Sequence, residues 1–288
     1  MKTTRFYMSI LLLFLSLANN AQDFHLSNEI GHFTAANAFS INQSGFIFVC
    51  DAGTNEIVKM DTLGNVLKTI GGYGRENYLF DEPADIFANT LNVYVADRNN
   101  DRIQIYDKDL NYLSTFSTPL SGDENYSFRY PTGIAVYSQG DFFVLDSDNA
   151  RILKFNFRGE LQTAIGGYDN ANYVFDNPKK IAMNGGGKIF VIDEAALVLF
   201  DTFGNFIKRQ DLDFEPDNIN IGSDFICLSA DSTIYYSRID NASANNFLFN
   251  SFEPGLDEKI ENAAIFNSKL YLLTGTKILI YKITGRKN

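Results

Sequence analysis

The sequence is poor in the side chains that most often bind metals or form covalent intermediates. Its 288 residues include no Trp, two Cys and two His, and both His lie near the N-terminus, at His25 and His32. Two His cannot build a three-His metal site, and the sequence has no Cys-x-x-Cys pair, Gly-x-Ser-x-Gly elbow or phosphate-cradling glycine loop. We therefore predict no catalytic residue, no metal and no cofactor.

Runs of basic residues are also missing. Lys and Arg total 24 against 35 Asp and Glu, which gives a formal net charge of −11. An acidic chain without a basic stretch is a poor ligand for a phosphate backbone, so we expect no nucleic-acid partner. Apolar residues make up 45% and charged residues 20%, as in ordinary globular proteins, and this excludes wholesale disorder.

One long apolar run is present, and it lies at the N-terminus. Residues 6–17 are almost entirely apolar, two basic residues precede them, and a small, polar stretch follows up to Ala21. This layout is typical of a secretory signal peptide, and the run is shorter than the roughly 18–20 residues that span a bilayer. We predict a signal peptide over 1–21 and a periplasmic or secreted domain over 22–288 without a transmembrane segment.

A repeat of about 47 residues organises the rest of the chain. Four apolar, strand-like runs end in an acidic residue at intervals of 46, 49 and 47, namely at Asp51, Asp97, Asp146 and Asp193. The pattern Asn-Tyr-x-Phe-x-x-Pro recurs at intervals of 48 and 47, starting at Asn77, Asn125 and Asn172. Each period holds four short alternating runs separated by turn residues and shows no helical periodicity.

Two degenerate copies, 217–252 and 261–283, complete the series, and the second lacks a fourth strand. Residues 23–31 have the pattern of a fourth strand, so the N-terminus can supply what the last copy lacks. We predict an all-β, six-bladed β-propeller of four-stranded blades, closed by the N-terminal strand completing the last blade. Cys50 and Cys227 lie in separate apolar runs and are expected to be buried, unpaired thiols.

The best copy of the repeat is found at Pro131–Val136, Val144–Asp146 and Asn149–Ile152. It resembles the NHL repeat, and the resemblance implies a propeller of that type. The sequence departs from the family pattern where Tyr replaces the usual Gly, at Tyr78, Tyr126 and Tyr173. Metal-dependent lyases of this type use several His, which are missing here. The chain also resembles secreted Bacteroidota propellers, including those that plug the type 9 secretion translocon.

Residues repeated in every blade are expected to build the blade, because only residues that break the symmetry can form a unique site. The acidic residue at each strand end is predicted to accept backbone N–H groups. Phe80, Phe128 and Phe175 are predicted to fill the gaps between blades.

Two sets of residues are candidates for binding. Long polar connections on one propeller face carry Tyr73, Tyr78, Tyr168 and Tyr173, which suit a recognition surface but would also suit covering of the seams between blades. Two residues after each repeat Pro lies a position near the central channel, occupied by Asp85, Gly133, Lys180 and Asn218. Asp85 and Lys180 either form a polar site at the channel mouth or are solvated loop charges.

Two functional hypotheses follow. The first is a non-enzymatic periplasmic propeller that binds a protein partner, with an accessory or plug subunit of an outer-membrane translocon as its specific form. The alternative is an enzyme or small-ligand binder that uses the channel, either Ca²⁺-dependent and lactonase-like or carbohydrate-active, with oxygen ligands from Asn37, Asp85 and Asn218.

Overall fold

The computed structural model describes residues 22–118, 127–138, 140–167, 173–222, 224–239 and 246–284. The predicted signal peptide, 1–21, and Tyr168 lie outside these residues. No helix within the described ranges is long and apolar enough to cross a membrane.

The described residues form six four-stranded antiparallel sheets, each a blade, and in the first five the strands follow chain order from the inside outwards. Blade 1 comprises β2 (Ala36–Ile41), β3 (Ile47–Asp51), β4 (Glu56–Met60) and β5 (Val66–Gly71). Blade 2 comprises β6 (Pro83–Ala88), β7 (Asn92–Asp97), β8 (Arg102–Asp107) and β9 (Tyr112–Phe116). Blade 3 comprises β10 (Gly133–Val136), β11 (Phe142–Asp146), β12 (Arg151–Phe155) and β13 (Leu161–Gly166).

The second half of the chain repeats this order. Blade 4 comprises β14 (Pro178–Met183), β15 (Ile189–Asp193), β16 (Ala196–Phe200) and β17 (Phe206–Asp211). Blade 5 comprises β18 (Asn218–Ile221), β19 (Phe225–Ala230), β20 (Thr233–Arg238) and β21 (Asn250–Phe252). Blade 6 comprises β22 (Ile260–Phe266), β23 (Lys269–Thr274), β24 (Ile278–Thr284) and, as its outer strand, β1 (Asp23–Ile30).

The predicted six-bladed architecture and its closure are therefore confirmed. β1 pairs antiparallel with β24, from Asp23 opposite Thr284 to Ile30 opposite Ile278. The first strand in the chain thus joins the last blade, and the ring closes through main-chain hydrogen bonds. This pairing removes the open edge that a three-stranded last blade would present.

Burial explains why the second strand of a blade reads as an unbroken apolar run. Every residue of β3, β11 and β15 is buried, because each of these strands lies between neighbouring blades on both of its faces. The hydrophobic core consists of clusters that join the facing sides of adjacent blades. Phe80, Phe128 and Phe175 are buried in these clusters and fill the interblade gaps, as predicted.

The two thiols are also placed as predicted. Cys50 and Cys227 are both buried and unpaired. Burial disfavours the thiolate and raises the pKa of both groups, that of Cys227 to about 12. These cysteines therefore act as small apolar core residues.

Gly133 stands at a position of the inner strand where a larger residue would collide with the next blade. A Cβ atom there would lie 2.7 Å from Ile181 Cγ2 and 3.3 Å from Leu145 Cβ. We expect Gly133→Ala to lower the free energy of unfolding by about 1–3 kcal/mol through overpacking. Urea unfolding measures this loss, with Gly185→Ala as the control.

Gly185 suits this control because a Cβ atom there meets nothing within 4 Å. Its substitution should change stability by less than about 0.5 kcal/mol. Equal effects of the two substitutions would contradict the close approach of blades 3 and 4.

Candidate functional site

The inner strands all begin on one side of the ring, which we call the upper face. The loops that join blades and the turns between second and third strands lie on this face, and the remaining turns lie on the lower face. The central channel opens on the upper face, among residues at the start of the inner strands. Both sets of candidate binding residues belong to this side.

In blades 1 to 4, the loop that enters the blade on the upper face is anchored to a buried carboxylate at the end of the second strand. Asp51 accepts hydrogen bonds from the N–H groups of Thr34 and Ala35, at 2.8 and 2.9 Å. Asp193 holds the N–H groups of Asp176 and Asn177 in the same way, at 2.9 and 2.8 Å. The predicted architectural role is confirmed, and the partners belong to the loop that enters the blade.

In blade 2, an arginine adds a second layer of anchoring. Arg102 Nε donates to Asp97 Oδ2 at 2.7 Å, and its two terminal nitrogens donate to the carbonyls of Arg75, Glu76 and Leu79 at 2.6, 3.1 and 2.8 Å. Burial raises the pKa of Asp97, while its hydrogen bonds and Arg102 oppose that shift. Both side chains are buried, so the loop over 72–82 is held by a charged pair shielded from water.

Blade 4 reaches the same result with a residue that the sequence analysis missed. Ala196 stands where blades 2 and 3 have Arg102 and Arg151, and Arg209 on the outer strand takes over that role. Its guanidinium donates to Asp193 Oδ2 at 3.1 Å and to the Tyr173 hydroxyl at 2.9 Å. The sequence shows that the arginine after Asp193 is missing, but it does not show which strand supplies the replacement.

The predicted tyrosines differ in exposure. Tyr73 is 75% exposed at the tip of the loop between blades 1 and 2. Tyr78 lies in the same loop, but its hydroxyl accepts the Tyr112 N–H at 2.9 Å and its ring packs against Tyr106 and Tyr112. Tyr73 thus presents most of its ring to solvent, whereas Tyr78 also holds the loop in place.

Tyr173 contributes to the packing of blade 4. Its hydroxyl lies 3.1 Å from Asp193 Oδ2, and its ring stacks on Phe206 with a centroid distance of 5.3 Å. The next two blade-joining loops expose other apolar side chains, Tyr130 at 42% and Val174 at 55%, which sequence reasoning did not single out. We call Tyr73, Tyr130 and Val174 the upper-face arc, because they lie on three consecutive loops.

The candidate channel residues share one position in the blades. Strand pairing places Asp85, Gly133, Lys180 and Asn218 at equivalent points of their inner strands, opposite Ala96, Leu145, Ile192 and Ser229. Ala38 and Asn262 occupy the same position in blades 1 and 6. Counting two residues from each repeat proline therefore identified four of the six equivalent positions. It missed Ala38 and Asn262, because no proline precedes them at that distance.

Asp85 and Lys180 are not solvated loop charges, because both lie on strands and are half-buried. Asp85 Oδ2 accepts the N–H of Ile134 from blade 3 at 2.9 Å. Lys180 Nζ donates to the carbonyls of Ala84 in blade 2 and Thr132 in blade 3, at 2.8 and 3.2 Å. Inner strands have an unpaired edge, and these side chains satisfy its polar groups.

The pKa of Asp85 reflects this position. Burial raises it, and the nearby Lys180 ammonium and the N–H groups of Ile134 and Ile86 oppose the rise. The carboxylate and the ammonium thus balance each other inside the ring.

At the channel mouth, the structure forms a cavity of about 460 Å³. Its walls carry charges of both signs, and most of the cations lie in ion pairs: Arg98 with Glu82, Lys179 with Glu215, and Lys259 with Asp217. Asn37, Lys180 and Asn218 also line the cavity, whereas Asp85 does not.

This arrangement bears on the calcium hypothesis. Among the described residues, no group of three or more His, Cys, Asp or Glu side chains is placed to hold a metal ion. Asn37 and Asn218 line the cavity, whereas Asp85 Oδ2 accepts the N–H of Ile134 and does not line it. The mouth therefore does not gather all three residues that the sequence suggested as Ca²⁺ ligands.

Comparison with known proteins identifies an NHL repeat over residues 128–155, which cover the first three strands of blade 3 and the end of the loop before it. Protein brain tumor from Drosophila melanogaster is 28% identical over 144 residues, which is 48% of this chain and 13% of that protein. The chain thus corresponds to a small part of that relative's length.

Solved structures share the fold. A streptogramin B lyase aligns with a TM-score of 0.63 and 12% identity, covering 91% of this chain and 98% of that one. A catalytically inactive histidine-to-alanine variant of virginiamycin B lyase from Staphylococcus aureus, solved with quinupristin, aligns with a TM-score of 0.60 and 13% identity, covering 86% and 80%. At this identity the likeness shows a common fold alone.

Proposed function

We propose that this chain is a protein-binding propeller whose partner docks on the upper face. The observation that carries the proposal is the upper-face arc, in which Tyr73, Tyr130 and Val174 extend apolar surface into solvent from three consecutive loops. Tyrosine side chains of this kind give large contact areas at low entropic cost and are enriched at interfaces.

The anchoring of the backbone around Tyr73 and Tyr130 supports the same proposal. The loop that carries Tyr73 is fastened by Arg102, and the N–H of Tyr130 donates to Asp101 Oδ1 at 2.8 Å. Loops that are ordered before binding lose little conformational entropy when a partner docks. The NHL repeat in blade 3 is in keeping with a binding module.

A more specific form of the proposal concerns location and partner. We propose that the apolar N-terminal run directs export and that the propeller acts in the periplasm or outside the cell, as an accessory or plug subunit of an outer-membrane protein translocon. The support is the three-part layout of residues 1–21 and the resemblance of the repeats to secreted propellers.

Capture from a detergent extract of the cell envelope tests both levels. We expect the immobilised protein to retain a defined envelope protein, and the double variant Tyr73→Ala/Tyr130→Ala to bind it about 10- to 100-fold more weakly. Quantitative mass spectrometry identifies the retained protein, and titration with that protein gives the change in affinity.

The matched control is Phe203→Ala. Phe203 is 77% exposed, as much as Tyr73, but lies on the lower face between β16 and β17. Its substitution should leave capture unchanged. The proposal is wrong if no retained protein depends on the tyrosines; a partner outside the translocon would remove only the specific form.

We do not propose the chemistry of the streptogramin lyases. The histidine-to-alanine variant of virginiamycin B lyase is catalytically inactive, so that enzyme depends on a histidine. Here His25 lies on β1, the outer strand of blade 6, and His32 follows it, and neither lines the channel mouth. The channel mouth of this propeller therefore has no histidine to match the one on which the lyase depends.

A further inference from the structure

We infer that the channel mouth binds a carboxylate, with the Lys180 ammonium and the Asn218 side-chain amide as its donors. The inference rests on the proposed function, because a carboxylate presented by the docked partner is the intended occupant. Both residues line the cavity and lie at equivalent positions of adjacent blades.

The cavity has a floor. Lys180 reaches from blade 4 to the Ala84 carbonyl of blade 2, two blades away, and to the Thr132 carbonyl of blade 3. Two residues beyond Asn218 on the same strand, Asn220 Nδ2 donates to the Phe39 carbonyl of blade 1 at 3.4 Å. These bonds cross the ring beneath the mouth, so a group entering from the upper face meets Lys180 at the bottom.

Lys180 differs from the other cations at the mouth. Arg98, Lys179 and Lys259 each lie in an ion pair, whereas Lys180 has no carboxylate within 4.0 Å among the described residues. An ammonium group has three donors, and the two carbonyls engage two of them. One N–H is left for a ligand.

Asn218 supplies a second donor. The residue is only 5% exposed, and its Oδ1 accepts the N–H of Ile219 at 2.9 Å. Its Nδ2 makes no hydrogen bond within the described part of the chain. This N–H group keeps some access to solvent, so a ligand that enters the mouth can reach it and accept a hydrogen bond from it.

The charge around the site selects a singly charged acceptor. The wall carboxylates Glu82, Asp217 and Glu261 are paired with Arg98 or Lys259, so the single charge of Lys180 matches a monoanion better than a dianion such as phosphate. Asp85, which balances Lys180 electrostatically, does not line the cavity and so does not meet the ligand. A carboxylate of an acidic side chain or of a chain terminus fits one ammonium and one amide.

Short peptides test the site directly. We expect Ac-Gly-Asp-Gly-amide or Ac-Gly-Gly-Gly with a free carboxylate to bind with millimolar affinity and to shift the Asn218 side-chain amide signals in ¹⁵N-labelled protein. Ac-Gly-Asn-Gly-amide should not bind. The first two peptides distinguish a side-chain carboxylate from a terminal one, and inorganic phosphate serves as the dianion.

Lys180→Gln is expected to weaken peptide binding about tenfold or more, since a hydrogen bond to a charged group is lost. Lys179→Gln is the matched control, because the neighbouring Lys179 lines the same mouth but is paired with Glu215. If Lys180→Gln does not fold, Asn218→Asp provides the second variant, since it places a carboxylate on the floor and should abolish binding.

The inference is overturned if the Asn peptide binds as well as the Asp peptide, if phosphate binds more tightly than either carboxylate, or if Lys179→Gln weakens binding as much as Lys180→Gln. Its failure is distinguishable from that of the proposed function. Tyrosine-dependent capture without peptide binding removes the carboxylate site alone, and Lys180-dependent peptide binding without any captured partner removes the docking proposal alone.

Discussion

Removal of β1, so that the chain begins at Gly31, is expected to abolish cooperative folding of the propeller. β1 pairs with β24 along its whole length and is the fourth strand of blade 6. Its Ile30 is buried, and the ring of Phe24 packs on Tyr236 and Phe252 at centroid distances of 5.3 and 4.5 Å. Losing the burial of Ile30 and the partial burial of Phe24 costs about 2–4 kcal/mol, and the main-chain hydrogen bonds between β1 and β24 are lost as well.

A loss of that size is comparable to the whole stability of a typical domain. It also comes with an exposed edge on β24, and unpaired edges promote association between chains. We therefore expect the shortened chain to elute as aggregates and to lose its cooperative thermal transition, measured by size-exclusion chromatography and near-UV circular dichroism.

The control is the same protein beginning at Gln22, which keeps β1. A peptide of residues 22–30 added to the shortened chain should restore part of the transition, because the β24 edge remains available for pairing. If the shortened chain is monomeric and melts within about 5 °C of the control, closure by β1 contributes little to the stability of the propeller.

Closure of the ring by β1 was predictable from the number of strands in each repeat. Blades must bury the same faces against each other, so Asp51, Asp97 and Asp146 recur at nearly equal spacing and the number of strands follows. A last copy with three strands and an unassigned strand at the start leave one way to close the ring. The same symmetry made the interblade role of Phe80 predictable.

The candidate site was predictable only in part. The position of Lys180 in the ring follows from the repeat, but its partners lie 48 and 96 residues away and depend on how the inner strands are oriented. Arg209 replaces a missing arginine from a different strand, which no spacing rule anticipates. Residues that differ from blade to blade do not follow the repeat, and therefore the repeat does not predict which residues they contact.

The exposure of Tyr73 and Tyr130 illustrates the same limit. Tyr73 and Tyr78 lie in the same loop, five residues apart. Only Tyr78 is held in place, by a hydrogen bond from the Tyr112 N–H and by packing against the ring of Tyr112. Tyr130 lies in the loop of the second Asn-Tyr-x-Phe-x-x-Pro copy, at a position that the repeat pattern leaves unspecified. Which aromatic residue faces solvent is decided by contacts between elements that are distant in sequence.

Arg102→Ala is expected to lower the free energy of unfolding by about 3–5 kcal/mol. The substitution leaves the Asp97 carboxylate buried without its cation and removes the donors to three carbonyls of the loop over 72–82. Uncompensated buried charge and lost hydrogen bonds act in the same direction. Chemical denaturation measures the loss.

Arg98→Ala is the matched control, four residues away. Arg98 pairs with Glu82, and both side chains are partly exposed, so the pair is screened by water and its loss should cost less than about 1 kcal/mol. Similar effects of the two substitutions would mean that burial of the Asp97–Arg102 pair does not govern its contribution.

The Arg102 substitution also links stability to the proposed function. Even where the variant is folded, the loop that presents Tyr73 has lost its three anchored carbonyls, so backbone amides between Tyr73 and Phe80 should exchange hydrogen faster than in the parent. A loop that must be ordered on binding lowers affinity, so capture of the partner should weaken as well. Unchanged exchange in this loop, together with a large loss of stability, would show that Arg102 supports the blade rather than the loop that carries the docking surface.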